Sequence, residues 1–553
     1  MRPWNTPFAS LVALGLLASA TPTGAQTTVF ELPGVPGSGF GTALDTLGDL
    51  DGDGFGEFLI GAPNLANGSL NGAGIVTVHS GADARVLYTV RGTRQGEHLG
   101  ASASAAGDVD ADGVPDFVVG APDARASGLR QSGRVRVFSG RDGSVLHTWE
   151  GSRVADFFGS TCDELGDLDG DGHDDVLVGV SGRLSPTGAW VGALLVHSGR
   201  DGSVLVRAYG DRVGGLLGEQ GTSALGDVNG DGRADFLGTQ IGNQMVTRVF
   251  SGLDGRELHR LTFVIPSGWF RIAGHLDADL DGAGDYLLGL NGGGGGQTGQ
   301  VRLFSGRDGR LLREVLGARL NESLGSSVTG VGDLDGDGHG DFVVGLSYAD
   351  GPAGTQTGEL RAYSGRDGHR IGSVLGDRPF QRLGEGLVGG GRDVDGDGYP
   401  EVLLSVRDAA GAESVKVISF VPDGLEAFGT GTPGCAGPLT LLANTSPRVG
   451  EAGFALHAFG LGPAATALLT SDVARPAGVL RYRVLFHVEP TRVLNHVVLP
   501  APGPSGSLVA PLPIPADPAL VGVTLVFQAV TLFPVGTCRP RIATSPGLRL
   551  TFQ

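Results

Sequence analysis

The sequence predicts an all-β fold: a seven-bladed β-propeller with an appended C-terminal β-sandwich-like domain. Three observations predict it. An acidic loop recurs seven times at near-even spacing, each interval holds about four short strand-like runs, and no convincing long amphipathic helix interrupts them. The loops begin at Asp49, Asp108, Asp167, Asp227, Asp277, Asp333 and Asp393, in steps of 59, 59, 60, 50, 56 and 60 residues. A four-stranded unit of this length cannot bury both of its faces alone. Ringed units bury them against neighbours, and closing the ring leaves only short protected edges. An open β-solenoid is the structural alternative, but its repeats are usually much shorter.

Each unit reads the same way. After the loop comes an apolar run, such as Phe117-Val118-Val119 or Phe342-Val343-Val344, then a variable segment and an alternating strand such as Val135-Arg136-Val137-Phe138. A tight turn follows: Ser-Gly-Arg-Asp-Gly at 139–143, 198–202, 305–309 and 364–368, and Ser-Gly-Leu-Asp-Gly at 251–255. Its Asp-Gly pair suits a hairpin, because Gly takes the positive φ such turns require. It is not the Arg-Gly-Asp adhesion tripeptide. A fourth strand such as Val145–Trp149 ends the unit. Val29–Leu32 precedes the first unit where the others have their fourth strand, so it is expected to complete blade seven; Leu425–Phe428 is its rival. A closure that mixes both chain ends locks the ring, which favours the N-terminal strand.

Counting the first Asp as one, side-chain oxygens recur at positions 1, 3, 5 and 9 of every loop. The sets are Asp49, Asp51, Asp53, Glu57; Asp108, Asp110, Asp112, Asp116; Asp167, Asp169, Asp171, Asp175; and Asp227, Asn229, Asp231, Asp235. The others are Asp277, Asp279, Asp281, Asp285; Asp333, Asp335, Asp337, Asp341; and Asp393, Asp395, Asp397, Glu401. Position 6 is always Gly, as a sharp turn around an ion demands. Position 7 varies freely (Phe55, Val114, His173, Arg233, Ala283, His339, Tyr399), which fits a residue lending only its backbone carbonyl. Such crowded carboxylates repel one another without a cation. Hard oxygen donors with no fixed Cys or His select Ca2+, up to seven ions with one per blade, over zinc, copper or magnesium. An EF-hand is excluded, because position 12 is Ile, Val, Leu or Gly and the flanks are strand-like.

Charge follows from the same loops. Their ligand positions hold 27 carboxylates, since Asn229 stands at one of 28 places; the other 32 acids face 40 basic residues. The net −19 therefore belongs to the loops, and seven divalent ions would bring it to −5. No clustered basic stripe points to nucleic acid.

The N-terminus reads as an export signal over residues 1–25: Arg2, an apolar Leu11–Ala20, and small residues at Ala18–Ala20 and Thr23–Ala25. An uncleaved anchor is the alternative. No later stretch is apolar enough to span a bilayer, so a secreted or cell-surface location without a span in the mature chain is expected. Only Cys162, Cys435 and Cys538 are present, so this is no disulfide scaffold. Whether Cys435 and Cys538 are bridged is open, and Cys162 reads as a small core residue.

These units resemble FG-GAP repeats, found in the propeller of integrin α subunits and in many secreted bacterial proteins. Phe40-Gly41 and Phe158-Gly159 match one name-giving piece, and Gly61-Ala62-Pro63 and Gly120-Ala121-Pro122 the other. Later copies drift to Leu324-Gly325, Leu383-Gly384 and Gly345-Leu346-Ser347, blade four is shortened, and Ser267–Phe270 lacks the Phe-Gly entry. The resemblance runs over about 29–428 and gives a propeller domain at 26–428, with calcium loops on one face and partner-contacting loops on the other. It implies a partner face formed by Asn64–Gly72, Asp123–Gly133, Ser181–Trp190, Asn291–Gly299 and Tyr348–Gly358. From 429 to 553 the repeat stops, proline becomes frequent, and alternating apolar segments read as the small C-terminal all-β domain.

No His-Glu-x-x-His or Gly-x-Ser-x-Gly motif is present, and the Asp pairs are taken up by the loops. His79 and His197 stand where sibling blades have Phe138 and Phe304, so they read as packing residues. The sequence therefore favours a non-enzymatic extracellular binding, adhesion or surface-structure protein whose partner is a protein or glycan. A polysaccharide hydrolase or lyase with its site on the partner face is the alternative.

Overall fold

The computed structural model describes residues 27–420 apart from 242–243, 264–269, 292–297, 336, 387, 395–399 and 409–410, and beyond 420 the backbone of strands alone. The export segment at 1–25, Ser267–Trp269, Cys435 and Cys538 lie outside the described residues, as do Asp395, Asp397 and Tyr399 of the seventh loop. Among the described residues every regular element is a β-strand.

Seven four-stranded antiparallel sheets follow one another, each wound from an inner strand outward. Blade 2 shows the pattern: Ser102–Gly107, Asp116–Ala121, Arg134–Phe138 and Val145–Glu150. The acidic loop joins its first and second strands, the variable segment its second and third, and the Ser-Gly-Arg-Asp-Gly turn its third and fourth. Alternating strand direction therefore puts acidic loop and turn on one face and variable segments on the other. Inner strands touch in ring order from blade 1 to blade 7 and back to blade 1. The ring is closed.

Closure uses both ends of the propeller segment. Thr27–Pro33 pairs antiparallel with Glu413–Ser419 as the outer strand of blade 7. Leu425–Phe428 pairs with Gly547–Thr551 instead and takes no part in that blade. Blade 4 is short only because four residues, 241–244, join Asp235–Gln240 to Met245–Phe250; its four strands are intact.

The second strands are buried along most of their length, and wholly in Asp116–Ala121 and Asp341–Leu346, which is why they read as unbroken apolar runs. Aromatic pairs in register cross from second to third strand: Phe117 on Phe138 at 5.2 Å, Tyr286 on Phe304 at 5.6 Å and Phe342 on Tyr363 at 5.7 Å. His79 fills that place in blade 1, buried and stacked on Phe58 at 5.3 Å, and His197 stacks on Trp149 at 4.4 Å. Burial holds the pKa of both imidazoles below the usual histidine range, His197 at about 4. They pack, as their positions predict.

Blades meet glycine against glycine. A Cβ built on Gly61, Gly120, Gly179, Gly289 or Gly345 would come within 3.0 Å of the carbonyl oxygen of Gly100, Gly159, Gly218, Gly325 or Gly384 in the next blade. The close approach explains why Gly persists where the neighbouring Phe, Ala and Pro drift. Gly120→Ala is expected to cost about 3 kcal/mol through overpacking of this seam, read as a fall in the melting temperature of the full chain.

Candidate metal centres

Six of the acidic loops, as far as their residues are described, fold around the first carboxylate. Asp49 Oδ1 accepts from the Gly52 N–H at 2.7 Å and Oδ2 from the Gly54 N–H at 2.9 Å. Position-6 amides bond the position-1 carboxylate likewise in the loops of Asp108, Asp167, Asp227, Asp277 and Asp333, at 2.7–3.1 Å. Position 6 sits at φ +81 to +91° with nothing within 4 Å of a built Cβ, so backbone conformation selects its glycine and crowding does not. At position 5, Asp53, Asp112, Asp171, Asp231, Asp281 and Asp337 each accept from the position-7 N–H at 2.9–3.1 Å, locking the second half of the loop.

Position 9 has a second task that the sequence did not reveal. Asp116 is fully buried; its Oδ2 accepts from Val109 N–H at 2.8 Å and its Oδ1 from Gly140 N–H at 2.9 Å. Gly140 belongs to the Ser-Gly-Arg-Asp-Gly turn, so one carboxylate ties loop to turn. Asp175, Asp235, Asp285 and Asp341 hold Gly199, Gly252, Gly306 and Gly365 in the same way. Glu57 accepts from Leu50 N–H at 2.5 Å, and its Oε1 is buried without a hydrogen-bond partner.

The carboxylates converge. Three acids per loop bring oxygens within 4.8 Å of one another in five loops: Asp49, Asp51, Asp53; Asp108, Asp110, Asp116; Asp167, Asp169, Asp175; Asp277, Asp279, Asp285; and Asp333, Asp335, Asp341. In the fourth loop the Asn229 amide donates to Asp235 Oδ1 at 3.3 Å. Burial, reinforced by neighbouring carboxylates, pushes the position-9 acids well above the usual range. Glu57, Asp116 and Asp285 rise to about 7, Asp175 and Asp235 to about 6, and Asp341 to about 8. Left to themselves, these loops would hold protons near neutrality. Buried Asp277 Oδ1 and Asp279 Oδ1, like Glu57 Oε1, have no hydrogen-bond partner among the described residues. All-oxygen donors, crowding and orphaned acceptors together fit a hard divalent cation.

Arginines of the turns add a feature that the sequence reading took only as turn chemistry. Arg141 pairs with Asp112, Arg307 Nε with Asp281 at 3.0 Å and Arg85 with Asp51 at 2.5 Å. Their exposure keeps the contribution of each pair small.

The family model of the FG-GAP repeat matches residues 40–79 and 100–138, from Phe40-Gly41 in blade 1 and from Gly100 in blade 2 through the third strand of each. The chain carries FG-GAP repeats. Its FG-GAP propeller is integrin-α-like. Integrin alpha-5 of Xenopus laevis is 28% identical over 221 residues, covering 37% of this chain and 21% of that protein. Integrin alpha-V of Gallus gallus is 30% identical over 176 residues, covering 31% and 15%. The match thus spans about a fifth or less of the length of these curated relatives. A crystal structure of BBS1N in complex with ARL6DN aligns over 71% of this chain and 97% of that chain, at 11% identity and a TM-score of 0.45. The two glycine pieces that give the FG-GAP repeat its name are the residues that meet at the blade seam. Among the described residues no helix is long and apolar enough to cross a membrane.

Proposed function

We propose that the chain is an extracellular, calcium-braced FG-GAP propeller acting as a non-enzymatic binding module for a protein or glycan. In this reading positions 1, 3, 5 and 9, with the position-7 carbonyl, hold one calcium ion per blade. When bound, the ion would neutralise the loop carboxylates, while the position-9 side chain ties loop to turn. The convergence of three carboxylates within 4.8 Å in five loops carries the reading. Residues 1–25 as an export signal and 429–553 as an appended domain belong to the same proposal.

The variable face supplies the surface. Between blades 5 and 6, Asn291 and the segment following Tyr348 border a pocket of about 970 Å³, lined by Asn291, Tyr348, Gln356 and Arg361 among others. Amide, phenol and guanidinium groups over an open concavity suit a polar ligand. An array of glycans and extracellular proteins probed with the calcium-loaded full chain tests it. Calcium-dependent capture that Tyr348→Ala and Gln356→Ala weaken is expected. Turnover of a captured glycan would overturn the non-enzymatic reading.

A further inference from the structure

The inner strands of the ring surround a cavity of about 750 Å³, distinct from the acidic loops. The fold equates one position per blade, four residues before each loop: Asp45, Ser104, Asp163, Ser223, Ala273, Thr329 and Gly389, all lining this cavity. Repetition would make the ring uniform, yet blades 1 to 3 carry two carboxylates around a hydroxyl, and blades 5 and 7 carry only Ala and Gly.

These groups are in contact. Asp45 Oδ2 accepts from Ser104 Oγ–H at 2.6 Å and from Ala105 N–H at 3.0 Å, and Ser104 Oγ lies 3.5 Å from Asp163 Oδ1. Burial pushes the Asp45 carboxyl up, and Asp163 adds to that, so a cation placed beside the pair relieves both. In blade 5, across the ring from blades 1 and 2, Arg271 lines the same cavity. Its Nε is buried with no hydrogen-bond partner among the described residues, while Nη1 donates to the Phe270 carbonyl at 3.0 Å. At the acidic-loop end, Arg392 Nη2 donates to both oxygens of Glu164 at 2.9 and 3.2 Å, spanning the ring from blade 7 to blade 3. Arg271 also borders the pocket on the variable face, which leaves that face as the way in.

Among the described lining residues, the carboxylates Asp45, Asp163, Glu164 and Glu219 outnumber the guanidinium groups Arg271 and Arg392, and Arg392 is bonded to Glu164. The excess negative charge favours a cation, and the buried Arg271 Nε calls for an acceptor. We propose that the cavity binds a small zwitterion of about dipeptide size, its ammonium on Asp45 and Asp163 and its carboxylate on Arg271. Arg271 stands two inner-strand positions nearer the variable face than Asp45 and Asp163, an axial rise of about 7 Å to which the span across the ring adds, so the zwitterion is at least as long as a dipeptide. A neutral sugar leaves the acid excess uncompensated, and a bare metal ion leaves Arg271 without its acceptor.

The proposal is independent of the calcium reading, and the test keeps the full chain in calcium. Calorimetric titration compares alanyl-alanine, its N-acetyl derivative and its C-terminal amide. Alanyl-alanine binds, and acetylation weakens it about tenfold or more, because the buried acids lose their cation. Asp45→Asn and Asp163→Asn weaken alanyl-alanine to a similar degree with melting temperature little changed, and Arg271→Gln abolishes the preference for the free carboxylate over the amide. Equal binding of the acetylated peptide, tighter binding of methyl glucoside, or no binding of alanyl-alanine at about 10 mM overturns the proposal, and none of these comparisons needs a variant to fold.

Discussion

Chelating calcium from the full chain lowers its melting temperature by about 10 °C or more, and restoring calcium reverses the loss. Each loop that binds the ion only when folded contributes RT ln(1 + [Ca]/Kd), about 2.7 kcal/mol when free calcium is 100-fold above Kd, and several loops act together. An unchanged melting temperature would sink the calcium reading. The chelated protein has a further signature in pH. The position-9 acids carry folded pKa values of about 6 to 8, above the ordinary values of 3.8 for Asp and 4.5 for Glu, because burial disfavours their charge. The folded state therefore binds more protons between those limits. Its stability from these groups is fully present below about pH 4 and is lost as pH rises through 6 to 8. The chelated protein is expected to melt higher at pH 5 than at pH 8. With calcium in place of the protons, that slope disappears.

The second large effect separates two tasks in one residue. Asp116→Ala strands the buried amides of Val109 and Gly140 and removes a loop carboxylate, at an expected cost of about 4 kcal/mol with calcium present. Much of that cost persists in chelator, because the two hydrogen bonds do not depend on the ion. Asp112→Asn is the contrast. An amide oxygen can still accept from Val114 N–H, so beyond the small, calcium-independent loss of the exposed Arg141 pair its cost appears only with calcium. Thermal melts of both variants, with and without chelator, check the pair. Equal calcium dependence in the two would contradict the clamp formed by Asp116.

Much of the propeller was legible because it is local. The positive φ of Gly54 and its described equivalents, the Asp-Gly hairpins and the apolar second strands are properties of a few consecutive residues, repeated from copy to copy. The stacking of His79 and His197 was readable by comparing equivalent positions. The glycine seam was visible only as a pair of short motifs with no stated partner. Gly120 and Gly159 stand far apart in the chain and meet only when one blade lies against the next. Position 9 was read as an ion ligand alone, because its bond to the Gly140 turn spans 24 residues of intervening blade. A possible signal was its place as the first residue of a wholly buried strand, where a carboxylate needs more than one partner.

The sequence by itself determined an all-β ring of seven blades with an acid-rich loop in each. Repetition and turn chemistry are encoded within single units and need no knowledge of distant residues. Only the tertiary structure decided that Thr27–Pro33 is the strand that closes blade 7, and that Asp45, Ser104, Asp163 and Arg271 face one cavity. The physical reason is ring closure. It joins residues hundreds of positions apart, and it turns small differences between equivalent positions into one asymmetric, charged interior.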